Sequence, residues 1–219
     1  VILDEVSMID ISLMYHFLVA LKDDCCLIFV GDTDQLPSVG PGNVLRDMFG
    51  SAMLPCVRLE HIFRQASGGL IVQNAHHVNN GEFIETPARG EQSDFYFVEA
   101  HDPEDAVTKV IEIVKNRLPK SFGFDSIQDI QVLCPMNRGG IGARSLNVEL
   151  QKALNPPTDD IFIERFGYTY RVGDKVMQTE NDYDKDVFNG DVGYVLHIDT
   201  DLQEMTIEFD GRSVEYQFG

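Results

Sequence analysis

Two short apolar runs, each closed by acids or by glycine and an acid, constrain this chain more than any other feature. Val1–Leu3 ends on Asp4 and Glu5, and Leu27–Val30 ends on Gly31 and Asp32. Between them, Ile11–Lys22 carries apolar residues at helical spacing, with Asp10 or Ser12 placed to cap it. Strand, helix, strand with acids at the strand ends predicts an α/β architecture built on a parallel sheet. The same logic continues downstream. Asn43–Phe49 reads as a short helix, Val57–Leu59 as a strand, Leu70–Val78 as a helix and Phe95–Val98 as a strand. Glu104–Leu118 reads as a helix with Pro103 near its first turn, Ile130–Cys134 as a buried strand, and Ala143–Leu154 as a helix stopped by Asn155-Pro156-Pro157.

After about Tyr168 the pattern changes. Lys175–Thr179, Val192–Ile198, Glu204–Phe209 and Ser213–Phe218 read as strands. Asp210-Gly211 marks a two-residue hairpin, because both residues tolerate positive φ. The tail therefore reads as a small all-β unit. A length of 219 residues suits one or two domains, at roughly 100–200 residues each. With 43% hydrophobic residues the chain should bury a core. No apolar run approaches the ~18 residues of a membrane span, and VILDEVSMID has none of the features of a secretory signal. The first residue is not Met, and both termini fall inside strand-like runs, so both ends read as cuts through a longer protein. Cys25, Cys26, Cys56 and Cys134 fit no zinc spacing and read as free thiols of a reducing cytosol.

The charge limits the functions open to the chain. Its 17 basic and 36 acidic residues leave a net charge of −19. A field of that sign repels phosphate at long range. Any nucleic-acid contact must come from a local groove, or from parts of a longer protein.

Three places could carry chemistry. Asp4 and Glu5 sit at a strand's carboxyl end, where open α/β sheets bind ligands. One carboxylate there can hold a hydrated Mg²⁺ while the other orients or deprotonates an attacking water; the alternative is a plain acidic surface turn. The stretch Gly31–Gly42, GDTDQLPSVGPG, closes the next strand and could face the same crevice. Its Gln35 can bond a terminal phosphate or the attacking water, or simply be an exposed turn residue. Arg64, in LEHIFRQ, can reach a γ-phosphate with its planar fork, or form a surface ion pair. His76 and His77 point about 100° apart on a helix and cannot easily share a metal.

Taken together, these three stretches resemble superfamily 1 DNA helicases. DEVSMID looks like the Walker B motif, GDTDQLPSVGPG like motif III, and LEHIFRQA like the motif that brings an arginine from the second motor domain. Within that superfamily the chain resembles the RecD-like group, the exodeoxyribonuclease V alpha-subunit helicases. NAHHVNNGE (Asn74–Glu82), VLCPMNRGGIGARSLNVELQ (Val132–Gln151), GDKVMQTENDY (Gly173–Tyr183) and FNGDVGYV (Phe188–Val195) extend the resemblance along most of the chain. It implies parts of two RecA-like parallel-sheet motor domains, residues 1–55 and 56–165, followed by a small all-β SH3-like insertion at 166–219. It implies ATP and Mg²⁺ as cofactors, with Asp4 on Mg²⁺ through water, Glu5 as the catalytic carboxylate, Gln35 as the γ-phosphate sensor and Arg64 contacting that phosphate across the cleft. Pro135, Asn137, Arg138, Ser145 and Asn147 would lie near single-stranded DNA, as would Asn181 and Asn189 of the β unit. The Val132–Gln151 stretch also reads as a capped strand-to-helix loop, and Asn189-Gly190 as a turn. The resemblance further implies 5′→3′ translocation in the cytoplasm, and nuclease or recombination subunits as partners.

The chain departs from the family in two respects: it contains no G-x-x-x-x-G-K-[ST] phosphate loop, and the family's last motifs, with their second arginine, are also missing. By itself it is expected to lack ATPase activity. Its acidity and lack of Trp predict weak, salt-sensitive DNA binding. Two other readings remain at this point. One is a conjugative relaxase-type or Pif1-like helicase, and the other a non-hydrolysing scaffold subunit of a nuclease complex.

Overall fold

In the computed structural model, residues 1–59, 69–88, 90–157, 161–165 and 167–218 are described. The chain forms two compact units, Val1–Phe97 and Val98–Gly219.

The first unit is organised by a parallel strand pair. β1 (Ile2–Leu3) lies beside β2 (Ile28–Phe29), with Ile2 opposite Ile28 and Leu3 opposite Phe29. Backbone bonds continue past both strands: Val30 N–H donates to the Leu3 carbonyl at 2.8 Å, and Val6 N–H to the Val30 carbonyl at 3.0 Å. The crossover is α1 (Ile11–Ala20), started by Asp10, whose carboxylate accepts the Leu13 N–H at 2.7 Å. That bond satisfies one of the amides that a helix start leaves unpaired. α2 (Val44–Gly50) follows, and then α3 (Leu70–Asn80). α3 is preceded by Gly69, which has no side chain to cap it, and the Asp94 carboxylate accepts the Leu70 N–H from 24 residues away at 2.8 Å. On the buried side of α3, Asn74 is only 3% exposed. Its amide donates to the Glu85 carbonyl and its oxygen accepts the Glu85 N–H, at 2.9 and 2.7 Å. Both halves of a buried amide are thereby satisfied, and the segment after α3 is held in place.

The second unit begins with a helical run. α4 (Pro103–Glu112) passes through a π-helical turn (Ile113–Arg117) into α5 (Leu118–Phe122). Pro119 explains the widened turn: it has no N–H for the ladder, and its ring crowds the carbonyl one turn back. α6 (Ala143–Leu154) covers the predicted residues and packs on α4. Next comes an antiparallel hairpin of β3 (Ile163–Arg165) and β4 (Tyr168–Tyr170), so the first strand of the tail precedes the point where the sequence pattern changes. β5 (Lys175–Met177), β6 (Val192–Asp199), β7 (Glu204–Phe209) and β8 (Arg212–Gln217) form one antiparallel sheet in that order. Asp210 and Gly211 both have positive φ, 47° and 76°, as the turn between β7 and β8 requires. Ile163, Val187, Val195, Ile198, Ile207 and Phe209 make its core.

Three expected strands are not formed. Residues 57–59, 95–98 and 130–134 pair with no strand among the described residues. The run 130–134 is also not buried, with Leu133 87% exposed. An apolar run becomes a strand only when a neighbour takes its N–H and C=O groups. Among the described residues no strand does so for these runs.

Candidate nucleotide and DNA sites

The carboxyl ends of β1 and β2 bring together two segments that lie 26 residues apart or more in sequence. Asp4 and Glu5 follow β1 directly, and both are exposed. The Asp4 carboxylate accepts the Glu5 N–H through one oxygen at 2.8 Å. Glu5 adopts left-handed backbone geometry, φ 53° and ψ 39°, and opens a 3₁₀ turn over Val6–Met8. That conformation costs a residue with a Cβ energy, and such strain gathers at functional positions.

The loop Gly31–Gly42 is anchored on this turn at both ends. A Cβ on Gly31 would lie 2.8 Å from Leu45 Cδ2, 3.1 Å from the Val6 nitrogen and 3.2 Å from the Ser7 nitrogen, so the loop's start rests closely on that backbone and a larger residue would have to push its neighbours aside. At the other end Gly40 abuts the Asp10 side chain, and the Pro41 carbonyl accepts the Ile11 N–H at 3.0 Å. The Ser38 hydroxyl donates to the carbonyls of Gly40 and Gly42. Between these anchors the Asp32 carboxylate accepts the Asp34 N–H at 2.9 Å, turning the chain, and Gln35 follows with an exposed side chain. Arg58 lies 3.7 Å from Asp34 with both side chains largely exposed, a pair of little energetic weight. Arg64 lies outside the described residues.

The donor set fits a water-mediated cation. The second Asp4 oxygen is not engaged by Glu5, and one exposed carboxylate suits Mg²⁺, which keeps most of its own waters. Among the described residues no group of three or more His, Cys, Asp and Glu side chains is arranged as a metal cage.

The residues singled out for DNA fall into two groups in the second unit. In the first, Pro135, Asn137, Arg138 and Asn147 are exposed. The loop carrying the first three folds back on the start of α6. Met136 and Asn137 accept the N–H groups of Ala143 and Arg144 at 2.9 and 3.3 Å, and Gly139 accepts the Ser145 hydroxyl at 2.9 Å. Ser145 therefore shapes the loop. Gly142 is forced: a Cβ there would fall 2.6–2.8 Å from the Arg138 backbone.

In the second group, Asn181 and Asn189 meet directly. The Asn181 side-chain oxygen accepts the Asn189 N–H at 2.9 Å, and its amide donates to the Tyr183 hydroxyl at 3.3 Å. Asn189-Gly190 is a turn, with Gly190 at φ 99°. Val187, fully buried, roots this excursion in the β core. Asp182 is held below the usual carboxylate range, first by the side-chain bond from Lys185 and then by the Lys185 N–H.

Asp174, in GDKVMQTENDY, connects α6 to the β unit, a role that the sequence pattern does not show. It is 8% exposed. Its carboxylate accepts the Gln151 amide at 2.5 Å, the Asn155 amide at 2.8 Å and the Arg171 N–H at 2.7 Å. The only sequence signal was an acid set directly before a strand; nothing local shows that it is buried.

Two family models match. Residues 1–97 match an AAA domain, and residues 146–209 the SH3 domain of ATP-dependent RecD-like DNA helicases. The AAA match covers the same residues as the first compact unit. The chain is 35% identical over 214 residues to the ATP-dependent RecD2 DNA helicase of Deinococcus radiodurans, covering 98% of this chain and 27% of that protein. It is 27% identical over 206 residues to the RecBCD enzyme subunit RecD of Mycolicibacterium smegmatis, covering 90% of this chain and 36% of that one. The chain thus spans between a quarter and two-fifths of the length of these relatives. Its fold is similar to that of a Pif1 helicase from Bacteroides crystallised with ADP-AlF3 and single-stranded DNA, with a TM-score of 0.58 at 18% identity, over 99% of this chain and 52% of that one.

Proposed function

We propose that this chain, which matches an AAA domain over residues 1–97 and the RecD-like helicase SH3 domain over 146–209 and is similar along its length to a RecD2 helicase, is a stretch of an ATP-dependent DNA helicase motor. The observation that carries this reading is the loop Gly31–Gly42 seated at both ends on the Asp4–Ile11 turn, at the carboxyl ends of parallel strands. Mg·ATP would supply the phosphoanhydride bond and the cation that offsets its charge. Asp4 would hold the cation's water with its unengaged oxygen. Glu5 would orient the attacking water and accept its proton. Gln35 would sense the terminal phosphate from a loop whose ends rest on Val6, Ser7, Asp10 and Ile11. Arg64 would reach the phosphate when the two motor domains close. The phosphate-cradling loop is not among these 219 residues, so hydrolysis needs sequence beyond them.

On this reading the whole protein moves 5′→3′ along single-stranded DNA and unwinds duplex in recombination or repair. It works in the cytoplasm with nuclease or recombination subunits as partners. No helix among the described residues is long and apolar enough to cross a membrane. The SH3 match favours the RecD-like group over relaxase-type or Pif1-like helicases.

The test is ATP hydrolysis by the whole protein with and without single-stranded DNA, beside Glu5→Gln. DNA-stimulated turnover that Glu5→Gln removes supports the motor. Absence of turnover in every condition favours a non-hydrolysing scaffold subunit.

A further inference from the structure

The two groups of polar residues described in the second unit are joined by one helix and one buried carboxylate. The first group lies at the amino end of α6, where Asn137 and Gly139 are bonded to Arg144 and Ser145. The carboxyl end of α6 reaches the β unit through Gln151 and Asn155, which both donate to Asp174. The same two amides also donate to β-unit carbonyls, Gln151 to Thr169 at 2.8 Å and Asn155 to Val172 at 3.0 Å. Asp174 then continues into β5: its carbonyl accepts the Val195 N–H of β6 at 2.9 Å. The Asn181–Asn189 turn is tied to the other end of β5, through Gln178 and Asp191. A buried carboxylate with three donors keeps one geometry, because losing any donor leaves charge unpaired away from water.

We propose that Asp174 is a positioning residue that fixes the spacing between the 135–147 group and the Asn181–Asn189 turn, so that one single-stranded tract engages both. The inference rests on the helicase reading above. Charge makes the spacing matter. In a chain with a net charge of −19, long-range attraction does not gather the strand. The share of affinity that these residues contribute must then come from several weak local contacts made together, and contacts act together only when their separation matches the ligand.

The experiment measures ATP hydrolysis by the whole protein, stimulated by oligodeoxythymidylates of graded length. In the wild type, the half-stimulating concentration should fall as the oligonucleotide grows long enough to reach both groups. Asp174→Asn must turn an amide N–H toward Gln151 or Asn155 and so loses at least one bond. It should match the wild type on the shortest stimulating oligonucleotide and lose at least about tenfold of the gain with length. Its turnover at saturating DNA and its basal hydrolysis should be unchanged. General loosening of the fold would instead weaken every length alike. Wild-type length dependence in a folded Asp174→Asn protein overturns the proposal. If that variant does not fold, Asn155→Ala, which removes one donor, should show a smaller loss of the same kind, and an unchanged profile overturns the proposal equally. If the wild type is stimulated by DNA of no length, the helicase reading falls and this inference with it.

Discussion

The side-chain oxygen of Asn181 accepts the backbone N–H of Asn189 at 2.9 Å, which makes two asparagines eight residues apart a single turn. Asn181 contributes through its side chain and Asn189 through its backbone. The two substitutions should therefore differ. Asn181→Ala should destabilise the chain by about 0.5–1.5 kcal/mol, the net worth of one such bond. Asn189→Ala keeps the N–H and should cost less. Urea denaturation of both variants measures the difference, and equal losses would contradict the assignment.

Gly142 and Gly140 make a second contrast. A Cβ on Gly142 would sit within 2.8 Å of Arg138 backbone atoms, whereas one on Gly140 would meet only Pro103 at 3.6 Å. Gly142→Ala must therefore shift the loop before α6, at a cost of about 1–3 kcal/mol. Gly140→Ala should fall within about 0.5 kcal/mol of wild type. Thermal melts of the pair decide the point.

Glu5 holds a left-handed backbone that asparagine adopts more readily. Glu5→Asn should leave the fold as stable as wild type, or more so by up to ~1 kcal/mol. In the whole protein it should lower hydrolysis by about 10²–10⁴-fold, the usual share of a general base. Stability and turnover moving in opposite directions would mark the residue as held in that geometry for chemistry. A parallel fall in both would mean that Glu5 supports the fold instead.

Acid should weaken the β unit in part through Asp182. Its folded pKa lies below the unfolded value because Lys185 bonds the charged form. The stabilisation is therefore fully present above the unfolded pKa of about 3.9. It is lost as pH falls through the lower folded value. Lys185→Met should flatten this dependence while leaving stability near neutral pH lower than wild type. The difference between the two pH–stability curves isolates the pair from the general relief of repulsion among the chain's acids.

Local pattern was enough for the elements whose partners lie close by in sequence, or whose surroundings repeat with a clear period. The apolar spacing of 143–154 marked α6, and Asp210-Gly211 marked its hairpin, because helix bonds and two-residue turns close within a few residues. The acids after β1 and the glycines of 31–42 were legible as a candidate site for the same reason. Tertiary structure alone decided the rest. Ile130–Cys134 has the composition of a buried strand and is not one, since a ladder is made by the neighbour as much as by the run itself. Gly31 showed itself in sequence only as a turn residue, and its contact with the Val6 and Ser7 backbone exists only once two strand ends lie side by side. Asp174 reads as one acid among 36, and becomes the joint between helix and sheet only where Gln151, Asn155 and Arg171 converge on it out of water. Bonds that close over long stretches of chain leave no period in the sequence, so the residues that make them become visible only in the folded molecule.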